Sequence, residues 1–246
     1  IGSNDGALIK NFNKSEAIGI EPCRNLAQIT KKMGYVTYNN YWSHELAKKI
    51  RLKNEKIDLI YSANTLTHIS DLNEVFKSIS YLLSSNGILI IEDPSLLECI
   101  KKNSYDQFYN EHIYLFSAIS VNSLLKKFNL EIFNIKNLET HGGSLRYYIK
   151  RVINKKITIS RNIKTQIKKE MIFGLHKFST FKKFSQKVEK SKVKLLSILN
   201  SLKNKKKLVL GYGATAKAVT ILNYCNINND LICNFVDTTP EKINRY

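Results

Sequence analysis

Paired cysteines and long apolar runs are both missing from this sequence. The four cysteines, Cys23, Cys99, Cys225 and Cys233, are scattered and none belongs to a CxxC pair. No zinc or disulfide framework is therefore visible, and we expect a reducing, cytoplasmic compartment. No apolar run reaches the length that spans a bilayer, and no signal peptide opens the chain, so no membrane partner is expected.

Acidic residues are also scarce, with 20 Asp and Glu against 39 Lys and Arg, for a net charge of +19. Such an excess is typical of proteins that bind nucleic acid, anionic lipid or phosphorylated substrates. The lysine run at residues 203–207 has no interleaved aromatic residues, which a base-stacking surface would need. Because Lys, Asn and Ile are abundant throughout, we interpret the charge as compositional and expect no nucleic-acid partner.

Apolar runs alternate with amphipathic stretches over the first 150 residues. Because strands separated by helices are typical of βαβ units, the pattern predicts an α/β domain with a mostly parallel, doubly wound sheet. The last two strands, joined by "LETHGG", are predicted to form an antiparallel hairpin at the sheet edge. Strands are predicted at residues 17–20, 57–62, 87–92, 130–137 and 144–150, and helices at 8–12, 25–33, 44–50, 72–83 and 119–128.

The composition changes after residue 150. Residues 151–207 are rich in Lys and Ser, contain no Pro and carry apolar residues at helical spacing. A strand at 208–210, a glycine turn, a helix at 215–225 and a strand at 231–236 then predict the start of a second βαβ unit. We therefore place one domain at residues 1–150 and a second at 151–246, made of a helical linker and a truncated Rossmann-like part. The abrupt turn at the start indicates a piece of a longer chain.

A glycine turn and an acidic residue are spaced as in nucleotide-binding βαβ units. Residues 2–6 read "GSNDG", and Glu21 ends the next strand nineteen residues after Gly2. Glycines let the backbone approach a ligand, and a carboxylate at that strand end can accept both ribose hydroxyls. The turn alone is equally typical of an ordinary loop. GxxxG in place of GxGxxG, together with this acid and the terminal hairpin, favours a class I S-adenosylmethionine-dependent methyltransferase.

Six motifs extend this similarity over nearly the whole chain: "IGSNDG", "GIEP", "SANTLTHISDLNE", "YDQFYNEHIYLFS", "THGGSLRYY" and "GYGATAKAVTILNYCNI". In this order and spacing they resemble the sugar C-methyltransferases that act on nucleotide-linked keto-deoxysugars. The resemblance implies a class I methyltransferase Rossmann-like fold, S-adenosyl-L-methionine as cofactor, and a second, incomplete Rossmann-like domain. Members also have an amino-terminal zinc-binding domain, so zinc is expected only in a region that this sequence lacks. The same resemblance implies that six residues bind the cofactor: Gly2, Ser3, Asn4, Gly6, Glu21 and Asn64.

The stretch "YNEHIY" (residues 109–114) carries the groups suited to the chemistry of that family. A sugar carbon becomes a nucleophile when a base removes its proton beside a carbonyl, and donors stabilise the resulting oxyanion. His112 is the predicted base because its ordinary pKa lies near working pH. By the resemblance, Tyr109, Glu111 and His112 are active-site residues, and His68 matches a second active-site histidine. The family pattern is Tyr-His-Glu-His, and Asn110 departs from it.

Three further residues are candidates for binding the nucleotide-diphosphate sugar. His141 precedes a glycine pair, Arg146 could contact phosphate, and Lys217 opens the helix after the second glycine turn, "GYGATAKA". That turn could instead bind a second nucleotide, or have lost its ligand. The adjacent Glu111 and His112 also have another interpretation, because a His-Glu pair in a loop is typical of a solvent-exposed segment.

Three other functions stay open from the sequence. The chain could methylate an oxygen or nitrogen of another small acceptor, which needs no carbon acid. It could be a basic nucleic-acid-binding module, with steeply salt-dependent binding. It could be a dehydrogenase that uses the Gly211 turn. The sequence does not identify the sugar, the methylated carbon or the oligomeric state.

Overall fold

The computed structural model describes residues 1–54 and 56–242. The chain forms two compact units, the first from Ile1–Leu96 and Ile113–Ile172 and the second from Leu97–His112 and Phe173–Tyr246. These units are not the predicted domains 1–150 and 151–246. The difference arises because the short segment Leu97–His112 packs with the C-terminal part of the chain, whereas residues 151–172 pack with the first sheet.

The first unit contains two sheets. The smaller sheet is a parallel pair, and the larger has the order β3-β4-β6-β5, in which β3 and β4 are parallel while β6 is antiparallel to both neighbours. The two strands that the sequence predicted as a hairpin are thus antiparallel, and β5 lies at the edge. The strands are β1 (Ile18–Ile20), β2 (Val36–Tyr38), β3 (Ile57–Ala63), β4 (Leu83–Pro94), β5 (Leu130–Leu138) and β6 (Ser144–Arg151).

Three helices of the first unit begin at polar side chains that cap free backbone N–H groups. Ser43 accepts from Leu46 before α2, Asp71 accepts from Glu74 before α3, and Ser117 forms a capping box before α5. The helices are α1 (Arg24–Lys32), α2 (His44–Lys53), α3 (Leu72–Leu82), α4 (Leu96–Lys101, which enters the second unit), α5 (Ala118–Lys126) and α6 (Asn162–Phe173).

One face of the larger sheet carries most of the core. Alternate residues of β4 and β6 point to this face, since side chains alternate along a strand. The apolar side chains there are almost completely buried: Leu89, Ile91, Leu145 and Ile149. The opposite face at the same height carries polar groups, including Glu92 and Arg146, which pair across the ladder. Because Glu92 lies near the end of β4, this polar face is close to the carboxyl ends of the parallel strands β3 and β4.

Residues 1–3 lie between the two sheets of the first unit. The amino group of Ile1 donates to the carbonyl of Tyr61 on β3 at 2.7 Å, and the backbone N–H of Ser3 donates to Ile20 on β1 at 3.0 Å. The turn at residues 2–6 consequently starts where β1 and β3 end. Ligands of parallel α/β sheets bind at these strand ends.

The second unit is built around one long helix and a small parallel βαβ unit. β7 (Leu210–Tyr212) and β8 (Asn234–Val236) are parallel, with α8 (Ala216–Cys225) between them and α7 (Phe178–Asn204) before them. In the same unit, the rings of Tyr105 and Tyr224 pack with their centroids 5.4 Å apart. The Tyr105 hydroxyl lies 3.7 Å from the Cys225 sulfur. Within the described part of the chain, no helix is long and apolar enough to cross a membrane.

Candidate active site

The turn at residues 2–6 has the backbone shape that its glycines predict. Gly2 and Gly6 have φ angles of +66° and +88°, a region that glycine adopts without strain. The N–H of Gly6 donates to the carbonyl of Ser3 at 3.0 Å, which closes the turn. A Cβ atom on Gly2 would lie 2.3 Å from Oγ1 of Thr65. Only glycine therefore lets this turn pack against the end of β3.

Glu21 lies directly against that turn. Its side chain is buried, and its two carboxylate oxygens accept from two backbone N–H groups, Oε2 from Asn4 at 2.8 Å and Oε1 from Cys23 at 3.0 Å. The Glu21 backbone N–H donates to Tyr38 on the neighbouring strand. The carboxylate is thus fixed in position at the end of β1, and each oxygen keeps a second lone pair for another donor.

The turn after β3 completes this group of strand ends. Asn64 has a φ of +49° and donates its backbone N–H to the carbonyl of Glu92 at 2.7 Å. Among residues 1–54 and 56–242, the Asn64 Oδ1 and Ser3 Oγ atoms are buried and have no hydrogen-bond partner. Buried polar atoms are nearly always paired. Two unsatisfied oxygens at these strand ends fit a cofactor that brings hydroxyl and amino donors, as S-adenosylmethionine does.

A tyrosine and a histidine form a hydrogen-bonded pair in the second unit. The Tyr109 hydroxyl lies 2.7 Å from Nε2 of His112, and Nδ1 of the same ring lies 2.9 Å from the carbonyl of Gln107. A carbonyl only accepts, so this contact requires the proton on Nδ1 and leaves Nε2 as the acceptor for the Tyr109 hydroxyl. His112 is therefore oriented as a base at Nε2.

The surroundings of this pair keep the tyrosine protonated. Burial raises the pKa of Tyr109, and the carboxylate of Glu111 raises it further. Glu111 itself is exposed. Glu111 thus acts on the pair through its charge, which makes the loss of the Tyr109 proton less favourable. Gln107 was not among the residues that the sequence predicted, because a backbone carbonyl leaves no signal in residue type.

The segment that follows His112 is fixed within the first unit. The carbonyl of Thr67 accepts from the N–H groups of Ile113 and Tyr114 at 2.9 and 3.3 Å. The Tyr114 hydroxyl donates to the carbonyl of Ser70 at 2.7 Å. Thr67 belongs to the 3-10 turn Leu66–His68, whose last residue is the predicted active-site histidine, His68. His68 is exposed at this turn.

Arg146 has a protein partner at the position predicted to contact phosphate. Its Nε and Nη2 atoms donate to Oε2 of Glu92 at 2.9 and 2.7 Å, and the Tyr61 hydroxyl donates to the same oxygen at 3.4 Å. The hydrogen bond to Glu92 raises the pKa of the guanidinium above its usual range. A phosphate at Arg146 would have to compete with this pair. His141 is exposed in the 3-10 turn Thr140–Gly142, with a φ of +53°.

The second glycine turn repeats the arrangement of the first. The N–H of Ala214 donates to Oδ2 of Asp237 at 2.8 Å, as that of Asn4 donates to Glu21. Hydrogen bonds from Thr239 and Lys242 hold the pKa of the Asp237 carboxyl below its usual range. Lys217 is half-buried in the first turn of α8. Within the described residues, no cluster of three His, Cys, Asp or Glu could hold a metal ion.

Two protein families match the chain in succession. Residues 1–135 match the sequence model described as a methyltransferase domain, which is more than half of the chain. Residues 139–246 match the model described as a C-methyltransferase C-terminal domain. The two matches together cover both compact units.

Individual proteins are also similar to the chain. The chain is 26% identical over 243 residues to the C-methyltransferase NovU of Streptomyces niveus, which covers 98% of the chain and 58% of that relative. The chain thus spans less than two thirds of the relative's length. Similar solved structures include a S-adenosylmethionine-dependent methyltransferase from Clostridium acetobutylicum (14% identity, 61% of this chain and 81% of that one, TM-score 0.45). Another is the magnesium protoporphyrin IX methyltransferase of Synechocystis PCC 6803 with bound SAH (13% identity, 61% and 71%, TM-score 0.47).

The matched domain models, taken with the C-methyltransferase relative, identify the family. The chain belongs to the S-adenosylmethionine-dependent methyltransferases, and its residues 139–246 match the C-terminal domain of C-methyltransferases.

Proposed function

We propose that this protein methylates a carbon atom of a nucleotide-diphosphate keto-deoxysugar, and that His112 takes up a proton through Tyr109 as that carbon loses one. The observation that carries the proposal is the fixed Glu21 carboxylate, held by the N–H groups of Asn4 and Cys23 beside the turn at residues 2–6. The kinship with C-methyltransferases supports carbon as the methylated atom.

The cofactor supplies an electrophilic methyl group bound to a positively charged sulfur. Glu21 would accept hydrogen bonds from the ribose hydroxyls. Residues Gly2, Ser3, Asn4 and Gly6 would line the cofactor with backbone, which their tight turn leaves accessible. Asn64 Oδ1 would accept from a donor of the cofactor, which would satisfy an oxygen that has no partner in the described chain.

Proton removal is assigned to the pair Tyr109 and His112. The carbon beside a ketone gives its proton to the Tyr109 oxygen while the Tyr109 proton moves to Nε2 of His112. The ring then becomes an imidazolium, tyrosine is neutral again, and the electron pair left on carbon is delocalised onto the ketone oxygen. The Nδ1 contact with Gln107 supports this direction, since it keeps Nε2 unprotonated before the step. General acid–base catalysis of this kind contributes typically 10²–10⁴-fold in rate.

The roles of four other residues follow from the same proposal. Glu111 favours the protonated form of Tyr109. His68, on the turn that also anchors Ile113, would act on the acceptor. Lys217 and His141 would contact the diphosphate or sugar, and Arg146 would do so only after rearrangement of its pair with Glu92.

A thermal-shift screen tests the proposal with four ligands: S-adenosylhomocysteine, NAD, UDP and dTDP. A ligand that binds only the folded state stabilises it by RT ln(1 + [L]/Kd) and so raises the unfolding midpoint. We expect a rise with S-adenosylhomocysteine and with one diphosphate nucleotide. A rise with NAD alone would indicate a dehydrogenase and would contradict the proposal.

A further inference from the structure

A buried carboxyl group in the first unit has no part in the mechanism above. Asp93, near the end of β4, is 1% exposed. Among the described residues, neither of its carboxylate oxygens has a hydrogen-bond partner. Asp93 lies on the apolar face of the sheet, opposite to the face of its neighbour Glu92, since it pairs with buried Leu145. An isolated ionised carboxylate at such a position is very costly.

Three other buried oxygens on this side of the sheet are also unpaired within the described chain. They belong to Ser62 on β3, Thr67 on the turn Leu66–His68 and Tyr147 on β6, all of which are fully buried. Ser62 and Tyr147 flank Ile91 on its two neighbouring strands, and Asp93 is the next residue of β4 on the same face. A group of unpaired buried polar atoms within one region needs a physical explanation.

The groups that face Asp93 favour its neutral form. Burial raises the pKa of the Asp93 carboxyl well above its usual range, and the carboxylate of Glu92 adds to this, whereas the backbone and hydroxyl of Thr67 act in the opposite direction. From β6, the phenol of Tyr147 interacts with both Asp93 and Glu170 of α6, and burial raises its pKa as well. Within residues 1–54 and 56–242, no cation contributes to the pKa shift of Asp93 or of Tyr147. A neutral carboxylic acid has one O–H group, which can donate a hydrogen bond to one of these oxygens.

We propose that Asp93 is a positioning residue: its carboxyl group holds Thr67, and Thr67 in turn holds the segment that follows His112. The second link is direct, because the Thr67 carbonyl accepts from Ile113 and Tyr114. The first link is inferred, since the Asp93 carboxyl oxygens and the Thr67 hydroxyl are both buried without a partner among the described residues, and Thr67 acts on the pKa of Asp93. The catalytic consequence rests on the proposed function, since His68 and His112 adjoin this connection in sequence.

The test compares Asp93→Asn with Asp93→Ala in the full chain. Asparagine is neutral, has nearly the same shape and retains a donor and an acceptor, whereas alanine removes both. Hydrogen exchange at pH 7 reports on the backbone N–H groups of Ile113 and Tyr114 directly. We expect at least tenfold faster exchange at these two positions in Asp93→Ala and less than threefold change in Asp93→Asn. The control is Asp58→Ala, an exposed aspartate on β3 of the same sheet.

Equal exchange in wild type, Asp93→Asn and Asp93→Ala would overturn the proposal. Exchange in Asp93→Asn as fast as in Asp93→Ala or faster would also overturn it, because a neutral group of the same shape would then fail to replace the carboxyl. A merely structural role predicts loss of protection throughout the sheet, so the amides of residues 145–149 serve as the internal reference.

The pH dependence of stability provides a second readout that does not depend on Asp93→Ala folding. Above about pH 4 the unfolded chain ionises Asp93 while the folded chain keeps its proton. The folded state thus binds one more proton, and its stability falls as pH rises, by up to about tenfold in the unfolding constant per pH unit. Asp93→Asn lacks this term. Its midpoint in urea relative to wild type should rise with pH above pH 5, until the pH reaches the raised pKa of the folded Asp93 carboxyl, and a constant difference would contradict the proposal.

These measurements use neither cofactor nor acceptor, so they separate the two proposals. If S-adenosylhomocysteine fails to bind the wild type, the proposed function fails while the exchange data still decide the role of Asp93. If both proposals hold, Asp93→Ala should lower kcat for methyl transfer and leave S-adenosylhomocysteine affinity within about threefold of wild type.

Discussion

The Tyr109 hydroxyl donates to Nε2 of His112 at 2.7 Å, while Nδ1 of the same imidazole donates to the Gln107 carbonyl at 2.9 Å. Both contacts together select one tautomer of the ring. A histidine held this way accepts a proton only at Nε2, and the atom that delivers it is the tyrosine oxygen. The pair can therefore transfer one proton from the Tyr109 oxygen to Nε2 of His112.

His112→Gln should lower the rate of methyl transfer to a nucleoside diphosphate keto-deoxysugar by about 100-fold or more, because general acid–base catalysis is lost. Tyr109→Phe should have a similar effect, since the two residues act as one unit. The rate is measured as S-adenosylhomocysteine formed per unit time, and its affinity should not change. His176→Gln, at an exposed histidine of the same unit, is the control. Retention of more than a tenth of the activity in His112→Gln would favour methylation of oxygen or nitrogen instead.

Cys23 should report cofactor binding through its reaction with iodoacetamide. It is the exposed cysteine, its N–H donates to Glu21, and partial burial together with the Glu21 carboxylate raises the pKa of its thiol. Labelling should accelerate as pH rises from 7 to 9, and S-adenosylhomocysteine should slow it at least fivefold. Burial raises the pKa of Cys99 to about 12, so Cys99 should not react below pH 9. Mass spectrometry distinguishes the two, and equal protection by NAD would argue against the assignment.

Gly2→Ala should impair cofactor binding more than an equally strained substitution elsewhere. Both Gly2 and Gly142 have positive φ angles, so alanine costs about 1–2 kcal/mol at either position. The new Cβ at Gly2 would meet Thr65 Oγ1 at 2.3 Å, whereas at Gly142 it would meet no atom within 4 Å. We expect Gly2→Ala to weaken S-adenosylhomocysteine binding at least tenfold and Gly142→Ala to leave it unchanged. Equal affinities in a titration would show that the turn does not line the cofactor.

Glu170→Ala should destabilise the first unit by about 3 kcal/mol. The fully buried Glu170 carboxylate accepts from the first N–H groups of α5, Ala118 at 2.9 Å and Ile119 at 3.0 Å, and from Gln166 at 3.0 Å. Its removal leaves buried donors unpaired, at about 1–3 kcal/mol each before relaxation. Urea unfolding measures the loss, and Glu139→Ala, at an exposed residue, is the control. A loss below about 1 kcal/mol would mean that other groups cap this helix.

Much of the fold could be predicted because its signals are local. Alternating apolar residues gave β3, β5 and β6 within one residue at either end. β4 is longer than the predicted 87–92, and the three-residue strand β2 was not predicted. Three residues carry too little periodicity to identify a strand.

The division into two units could not be read from composition. The segment Leu97–His112 follows the first sheet in sequence, yet Tyr105 packs on Tyr224 and Cys225 of α8. Such long-range contacts depend on packing between side chains far apart in sequence. The change in composition at residue 151 marks a change of helix content instead.

Site residues could be predicted from the sequence where a residue type suited to binding stands at the end of a strand. Glu21 and the turn at residues 2–6 meet as their spacing indicates, because parallel strands bring their ends to one edge. Gln107 acts through a backbone carbonyl and gave no signal. Asp93 gave no signal either, because its burial and its missing partners appear only in three dimensions. Arg146 was expected to meet phosphate, whereas its cross-strand neighbour Glu92 binds it.

The central claim is that the Glu21 carboxylate binds the cofactor ribose, and calorimetric titration of S-adenosylhomocysteine tests it most directly. Glu21→Gln keeps the shape and removes the charge, and hydrogen bonds to a charged group are worth about 1.5–3 kcal/mol. We predict one binding site in the wild type, affinity at least tenfold weaker in Glu21→Gln, and no change in the exposed control Glu16→Gln. No binding to the wild type, or equal affinity in Glu21→Gln, would contradict the account.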